Sequence, residues 1–188
     1  MRHLRDFPRL NDLNVRGTKT TYDSYRDIWQ NIPHCQIDAD GDSDRHGANW
    51  ALAVGGKVTI EQEGSAPQEI TDFASLPAAD FRVLAIHLNG LEQIQFLANI
   101  DRLPRIRELT LNETGLGRYG LMRIGGLTSL RRLELIRTNI VDDSLEHLYP
   151  LTGLEELDLT GTAITGAAVQ RLSEKLPRCR VTFQTLKP

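Results

Sequence analysis

Hydrophobic and polar residues alternate in a short pattern that recurs in the C-terminal half of the chain. The pattern L-x-x-L-x-L, closed by a threonine, begins at Ile106, Leu130 and Leu154, so its step is 24 residues. The three copies read IRELTLNET, LRRLELIRT and LEELDLTGT. Alternation at period two over so short a run predicts a half-buried β-strand in each copy.

A looser copy, VLAIHLNGL, begins at Val83, 23 residues before the first well-formed one. Between the strands, the apolar residues lie three apart and predict a short helix in each repeat; they are Leu121, Ile124 and Leu127, then Leu145, Leu148 and Leu151. One strand and one helix per repeat predict an α/β leucine-rich-repeat solenoid, curved and built from at least four stacked units.

The N-terminal residues repeat the last unit at an offset of 144 positions. LNDLNVRGT from Leu10 matches LEELDLTGT from Leu154, and IPHC ending at Cys35 matches LPRC ending at Cys179. The match extends upstream to His3, which predicts that the chain starts within a repeat whose open apolar end could self-associate. We therefore expect residues 1–35 to end a first array and residues 83–188 to form a second array with a C-terminal cap.

Residues 36–82 lack the leucine ladder and predict an irregular α/β cap segment. Asp42 or Asp44 is placed to cap a helix that runs through Trp50 and ends at the Gly55-Gly56 pair. A strand is expected after the glycines, at Val58 and Ile60. We expect this segment to cover the first repeat of the second array, at Val83.

Composition narrows the possible partners. The 188 residues are 40% hydrophobic and 25% charged, which is ordinary for a folded domain. The net charge of −3 and the scattered basic residues disfavour nucleic acid, and no apolar run is long enough to predict a membrane span or a signal peptide. Cys35 and Cys179 are too few for a zinc site and are expected to be reduced and buried, which favours the cytoplasm.

The segment DRHGANWALAVGGKVTI, followed by repeats such as LEELDLTGTAITGAAVQRLSEKLPRCRV, resembles bacterial leucine-rich-repeat proteins of the planctomycete type. Some members of that group carry the array beside a serine/threonine kinase domain. The repeats also resemble the threonine- and cysteine-bearing class of F-box-type ubiquitin-ligase adaptors. The resemblance implies protein binding, and it brings no catalytic residue and no cofactor to this chain.

Three motifs invite a chemical interpretation. Gly115, Gly117 and Gly120 spell G-x-G-x-x-G, but they fall inside a regular repeat, which favours a loop over a dinucleotide site. The five histidines lack metal-ligand spacing, and no G-x-S-x-G nucleophile motif occurs. DADGDSD, from Asp38 to Asp44, is suggestive of a calcium loop but has no glycine at its sixth position; a solvated turn with helix-capping acids is the favoured interpretation.

The polar residues between the inward leucines predict a binding surface, because strand side chains alternate between two faces. We expect a protein or peptide partner on this concave face. The predicted columns are Ala85, Glu108, Arg132 and Glu156; His87, Thr110, Glu134 and Asp158; and Asn89, Asn112, Ile136 and Thr160. Two alternatives stay open, namely a merely solvated face and an accessory segment of a larger repeat or kinase-linked protein.

Overall fold

A computed structural model describes residues 9–91, 97, 99–100 and 103–184; His3 and the rest of the upstream match lie outside them. The described strands are β1 (Asp12–Asn14), β2 (Gln36–Asp38), β3 (Lys57–Glu61), β4 (Gln68–Ile70), β5 (Arg82–His87), β6 (Glu108–Thr110), β7 (Arg132–Glu134), β8 (Glu156–Asp158) and β9 (Arg180–Thr182). The described α-helices are α1 (Tyr22–Asn31), α2 (Ser43–Ala53), α3 (Arg118–Ile124) and α4 (Gly166–Lys175), and 3₁₀ helices span Phe73–Ser75 and Asp142–Leu148.

The larger sheet has the order β4-β3-β5-β6-β7-β8-β9. The strands from β5 to β9 are parallel, and β3 pairs antiparallel with both β4 and β5. Leu109 stands beside Leu133, and Leu133 beside Leu157, so each repeat places its central leucine in one buried row. The result is a mixed α/β fold with a mostly parallel sheet, as the alternating pattern predicts.

The threonine that closes each copy has a structural role. The hydroxyl oxygens of Thr114, Thr138 and Thr162 donate to the backbone oxygens of Leu111, Leu135 and Leu159, at 2.8, 2.8 and 2.7 Å. These three threonines are buried. Each hydroxyl therefore satisfies a carbonyl group in the turn that follows its strand, where water does not reach.

The residue just before each threonine has a left-handed backbone. Its φ is 72° at Gly161, 58° at Glu113 and 54° at Arg137. The backbone N–H of each of these residues donates, at 2.8–2.9 Å, to the backbone oxygen that lies two residues beyond the strand of the next repeat. Glycine adopts this conformation without steric cost, whereas Glu113 and Arg137 each adopt it against the preference of residues with a Cβ. An ion pair of 2.6 Å joins these two side chains.

The two helices predicted between the strands are of different types. The first becomes α3, and Leu127 lies just beyond its end. The second is a 3₁₀ helix, Asp142–Leu148, not an α-helix. A spacing of three residues suits both types, because a 3₁₀ helix has three residues per turn, so spacing alone does not separate them.

The first array has two described strands. β1 pairs in parallel with β2, Leu13 beside Ile37, so parallel pairing continues just past the boundary expected at residue 35. Asn99 covers the far edge of β2, since its Oδ1 accepts from Ile37 N at 2.9 Å and its Nδ2 donates to Cys35 O at 3.2 Å. Asn99 itself is buried and has a φ of 70°. The ladder of the first array therefore ends at an amide side chain.

The segment between the arrays packs against the second array. Asp42 caps α2 by accepting from Asp44 N at 3.0 Å, and the backbone turns at Gly55, where φ is 96°. β3 then lies beside β5, with Val58 opposite Ile86. The antiparallel pair β3–β4 thus covers the edge that the parallel sheet would otherwise expose at β5.

Asp44 ties the cap segment to the second array. Its carboxylate is buried and accepts from Val83 N at 2.8 Å, and burial raises the pKa of this carboxyl. We expect Asp44→Ala to lower the free energy of unfolding by about 1–3 kcal/mol, because the buried N–H of Val83 loses its acceptor. Urea titration followed by circular dichroism measures the loss. The matched control is Asp44→Asn, whose amide oxygen can still accept the bond; an equal loss in both variants would contradict this role.

Candidate functional site

One face of the parallel sheet carries the predicted binding residues. The register sets Glu108 beside Arg132, Arg132 beside Glu156 and Glu156 beside Arg180. A second row, two residues further along each strand, contains His87, Thr110, Glu134, Asp158 and Thr182. The leucines between the rows are buried on the opposite side. We call this surface of β5–β9 the polar face.

Arg132 is the centre of the polar face. Its guanidinium donates to Glu134 Oε1 from Nη2 at 2.7 Å and from Nε at 3.1 Å. Carboxylates on both neighbouring strands also lie close, that of Glu108 at 3.9 Å and that of Glu156 at 3.7 Å. The hydrogen bond that Arg132 donates to Glu134, followed by the negative charge of that carboxylate, raises the pKa of Arg132. Since half of the side chain is exposed, the network mainly fixes its geometry and adds little stability.

Asparagine and histidine side chains order the rest of the polar face. Asn112 donates to Glu134 Oε2 at 2.8 Å and accepts from Ile136 N at 2.9 Å. His87 Nδ1 lies 3.0 Å from Thr110 Oγ1. Each side chain is thus held by a neighbour on the next strand, which reduces the entropy that a bound partner would have to remove.

Two predicted contact residues are less accessible than the sequence pattern implies. Thr110 is buried, with 4% of its surface exposed, so it supports His87 and offers little to a partner. Ile136, which the alternation places in the third column, is only partly exposed. Asn112 and Thr160 occupy the equivalent positions of the adjacent repeats.

The structure adds two residues that the leucine pattern did not find. Arg180 and Thr182 lie on β9, where Val181 and Phe183 take the places of the leucine pair. Their offset of 24 from Glu156 and Asp158 was the available signal. Arg180 donates to Glu156 Oε1 at 2.6 Å. A cleft of about 160 Å³ opens on this part of the polar face, lined by Arg132, Leu133, Glu134, Glu156, Leu157, Asp158, Arg180 and Thr182.

The balance of charge on the polar face is negative. Four carboxylates, from Glu108, Glu134, Glu156 and Asp158, face two guanidinium groups, from Arg132 and Arg180. The Asp158 carboxylate accepts from Thr160 N at 2.9 Å and otherwise opens to the cleft. The surface is therefore complementary to a basic ligand.

A larger groove, of about 760 Å³, lies between the loops that follow β7 and β8, and it includes Thr138, Ile140, Gly161 and Ile164. None of its lining residues carries a charge. It is separate from the polar face and holds none of the predicted contact residues. Its size alone does not make it the stronger candidate, since specific sites need polar groups that orient the ligand.

The aspartates from Asp38 to Asp44 do not converge. Each carboxylate has its own partner instead: Asp38 pairs with Arg16 at 2.9 Å, Asp40 accepts from Gly17 N at 2.6 Å, Asp42 caps α2, and Asp44 accepts from Val83 N. In the ranges that the structure describes, no cluster of three or more metal-ligating side chains occurs. The cluster thus does not provide the convergent oxygen ligands that calcium requires.

Both thiols are weak nucleophiles. Cys35 is fully buried, as predicted, but Cys179 is only partly buried. Burial is the main cause that raises the pKa of each thiol to about 11, and nearby carboxylates of Asp12 and Glu156 add to it. Since the thiolate is the reactive form, a raised pKa leaves both groups mostly protonated and weakly nucleophilic at neutral pH. None of the helices in the described ranges has the length and apolarity to span a membrane.

Comparison with known proteins finds structures that are similar to this chain but no matching family. No protein-family model matches the sequence, and no curated protein is similar to it. A leucine-rich-repeat protein of Leptospira interrogans is similar in structure, with a TM-score of 0.48 and 18% sequence identity. The match covers 96% of this chain and 38% of that one, so the chain spans well under half the length of its neighbour.

Proposed function

We propose that this chain is a non-enzymatic leucine-rich-repeat solenoid of the bacterial kind, whose concave side is the polar face and binds a protein partner. The observation that carries the proposal is the in-register row of charged side chains on β6–β9. Hydrogen bonds between these side chains fix their positions, and the side chains border a cleft on the sheet surface. A surface prepared in this way binds at a lower entropic cost than a set of independent solvated charges.

The chemistry of the partner follows from the charge of the polar face. The excess of carboxylates favours a peptide segment that carries lysine or arginine and disfavours phosphate groups, which argues against nucleic acid and anionic membranes. Glu156 and Asp158 are the residues best placed to contact such a segment, because both line the cleft and are partly exposed. We further propose a cytoplasmic location, which the two free thiols favour.

The test is comparative capture from a lysate of the source organism with the wild type and the Glu156→Gln, Asp158→Asn double variant. These changes remove two charges and keep the shape of both side chains. We expect the double variant to lose at least about tenfold of the captured partner, since each charged contact typically contributes about 1 kcal/mol or more. Mass spectrometry with isotope labelling quantifies the ratio.

The control is Glu155→Gln with Glu174→Gln, which removes two exposed charges outside the polar face. It should capture the partner as the wild type does, and its melting temperature and that of the test variant should both be unchanged. Equal capture by the wild type and both double variants would overturn the assignment of binding to the polar face. Addition of salt should weaken the wild-type interaction, because its attraction is between exposed charges.

A further inference from the structure

The last strand of the larger sheet has an outer edge without a described partner. β9 ends the strand order, with Arg180 N and Thr182 O bonded to the β8 side. Successive residues of a parallel strand direct their backbone groups to opposite edges. The N–H and C=O groups of Val181 therefore point away from the sheet.

β1 also has an edge without a described partner, on the side that lies away from β2. Within the described residues it pairs with β2 only, through Asn11 O and Val15 N. By the same alternation, the backbone groups of Asp12 and Asn14 point away from β2. Leu13, at the middle of β1, is only partly buried, as is Val181 at the middle of β9. Among the described residues, each edge thus presents backbone groups without a hydrogen-bond partner and one half-buried apolar side chain.

The two edges fit one another as consecutive repeats do. The sequence match at an offset of 144 makes β1 the equivalent of β8 and β2 the equivalent of β9. A parallel strand placed beyond β9 in the register of the array would set Asp12 beside Arg180 and Leu13 beside Val181. The outward groups of β9 then meet the outward groups of β1, as those of β8 meet β9.

The charges along the first row of the polar face favour the same register of β1 beside β9. Along the first row of the polar face, Glu108, Arg132, Glu156 and Arg180 alternate in sign. Arg132 lies between carboxylates on both of its neighbouring strands, whereas Arg180 has a carboxylate on one side only and is 76% exposed. Asp12 of a second copy would supply the missing carboxylate and continue the alternation.

We propose that a second copy of this chain adds its β1 to the outer edge of β9, head to tail. The contact is heterologous, so an open assembly keeps a β1 edge at one end and a β9 edge at the other, and association continues into chains or closes into rings. The polar face then runs on from one copy to the next. The assembly can be tested separately from the partner proposed above through Asp12, which lies outside the polar face.

Sedimentation velocity over a series of concentrations tests the assembly. The wild type should show a rising weight-average sedimentation coefficient. Arg180→Glu and Asp12→Arg should each weaken association roughly tenfold or more, because each sets like charges on adjacent strands. An equimolar mixture of the two variants should associate again, since the altered β9 of one meets the altered β1 of the other.

Restoration by mixing separates a specific contact from a folding defect, because two misfolded chains do not repair each other. Arg178→Glu changes the net charge as Arg180→Glu does, at an exposed position before β9, and should associate as the wild type does. A wild type that stays monomeric at every concentration, or variants that remain monomeric when mixed, would overturn the proposal. Capture of the basic partner by Asp12→Arg should be unchanged, which distinguishes failure of assembly from failure of partner binding.

Discussion

The Gly125→Ala variant should lose about 3 kcal/mol of its free energy of unfolding. Gly125 ends α3, and a Cβ added to it would approach His147 O to within 2.2 Å. The obstacle is a backbone atom of the 3₁₀ helix 142–148, so the two helical segments of adjacent repeats would have to separate. Overpacking of this kind typically costs about 1–3 kcal/mol and occasionally more. Urea titration followed by circular dichroism gives the value.

The adjacent glycine provides the control for this experiment. A Cβ at Gly126 would meet Arg123 O at 3.5 Å, an ordinary contact distance. Gly126→Ala should therefore change the free energy of unfolding by less than about 1 kcal/mol, and the reduced freedom of the unfolded chain could even raise it. If both alanine variants lost the same amount, the close approach of the two helical segments would not be the cause.

The Leu133→Ala variant should lose about 2–5 kcal/mol, because it opens a cavity in the middle of the buried leucine row. Leu133 is fully buried on β7, with Leu109 and Leu157 beside it on the adjacent strands. In a stack of repeats each unit is stabilised by its neighbours, so a cavity here weakens two interfaces at once. Thermal and urea unfolding should both show the loss.

Leu133→Met is the matched variant, because methionine has nearly the same volume and a flexible side chain. It should cost less than about 1.5 kcal/mol. A loss below 1 kcal/mol for the alanine variant would mean that the leucine row is not continuously packed through β7. Binding of the partner should fall in Leu133→Ala only in proportion to the unfolded fraction.

The sequence predicts the parallel strands β6, β7 and β8 because each of these repeats carries a leucine pair at a fixed step of 24 residues. Leu109, Leu133 and Leu157 are all found in the buried row. The same pattern does not predict β9, because Val181 and Phe183 stand where the other repeats have two leucines. The match of LPRC, which ends at Cys179 just before β9, to IPHC, which ends at Cys35, is the stronger sequence signal here, and it indicates the end of a repeat.

The sequence predicts which residues share the polar face but not which of their side chains contact one another. Alternation at period two places Glu108, Arg132 and Glu156 on one face, and the structure shows them there. The alternation does not predict the hydrogen bond between Arg132 and Glu134, because that contact depends on the rotamers of the two side chains. Nor does it separate accessible residues from supporting ones such as Thr110, because exposure depends on the neighbouring strands.

The backbone of the array repeats with every strand, whereas the sign of charge in the row from Glu108 to Arg180 repeats with every second strand. Duplication of one repeat, for example the one that starts at Arg132, would set two arginines side by side on the sheet. Duplication of two adjacent repeats would preserve every opposite-charge neighbour. Insertion of repeats in pairs therefore lengthens the array without placing like charges side by side in this row. Insertion of an odd number of repeats, by evolution or by engineering, needs a charge reversal to avoid such a pair.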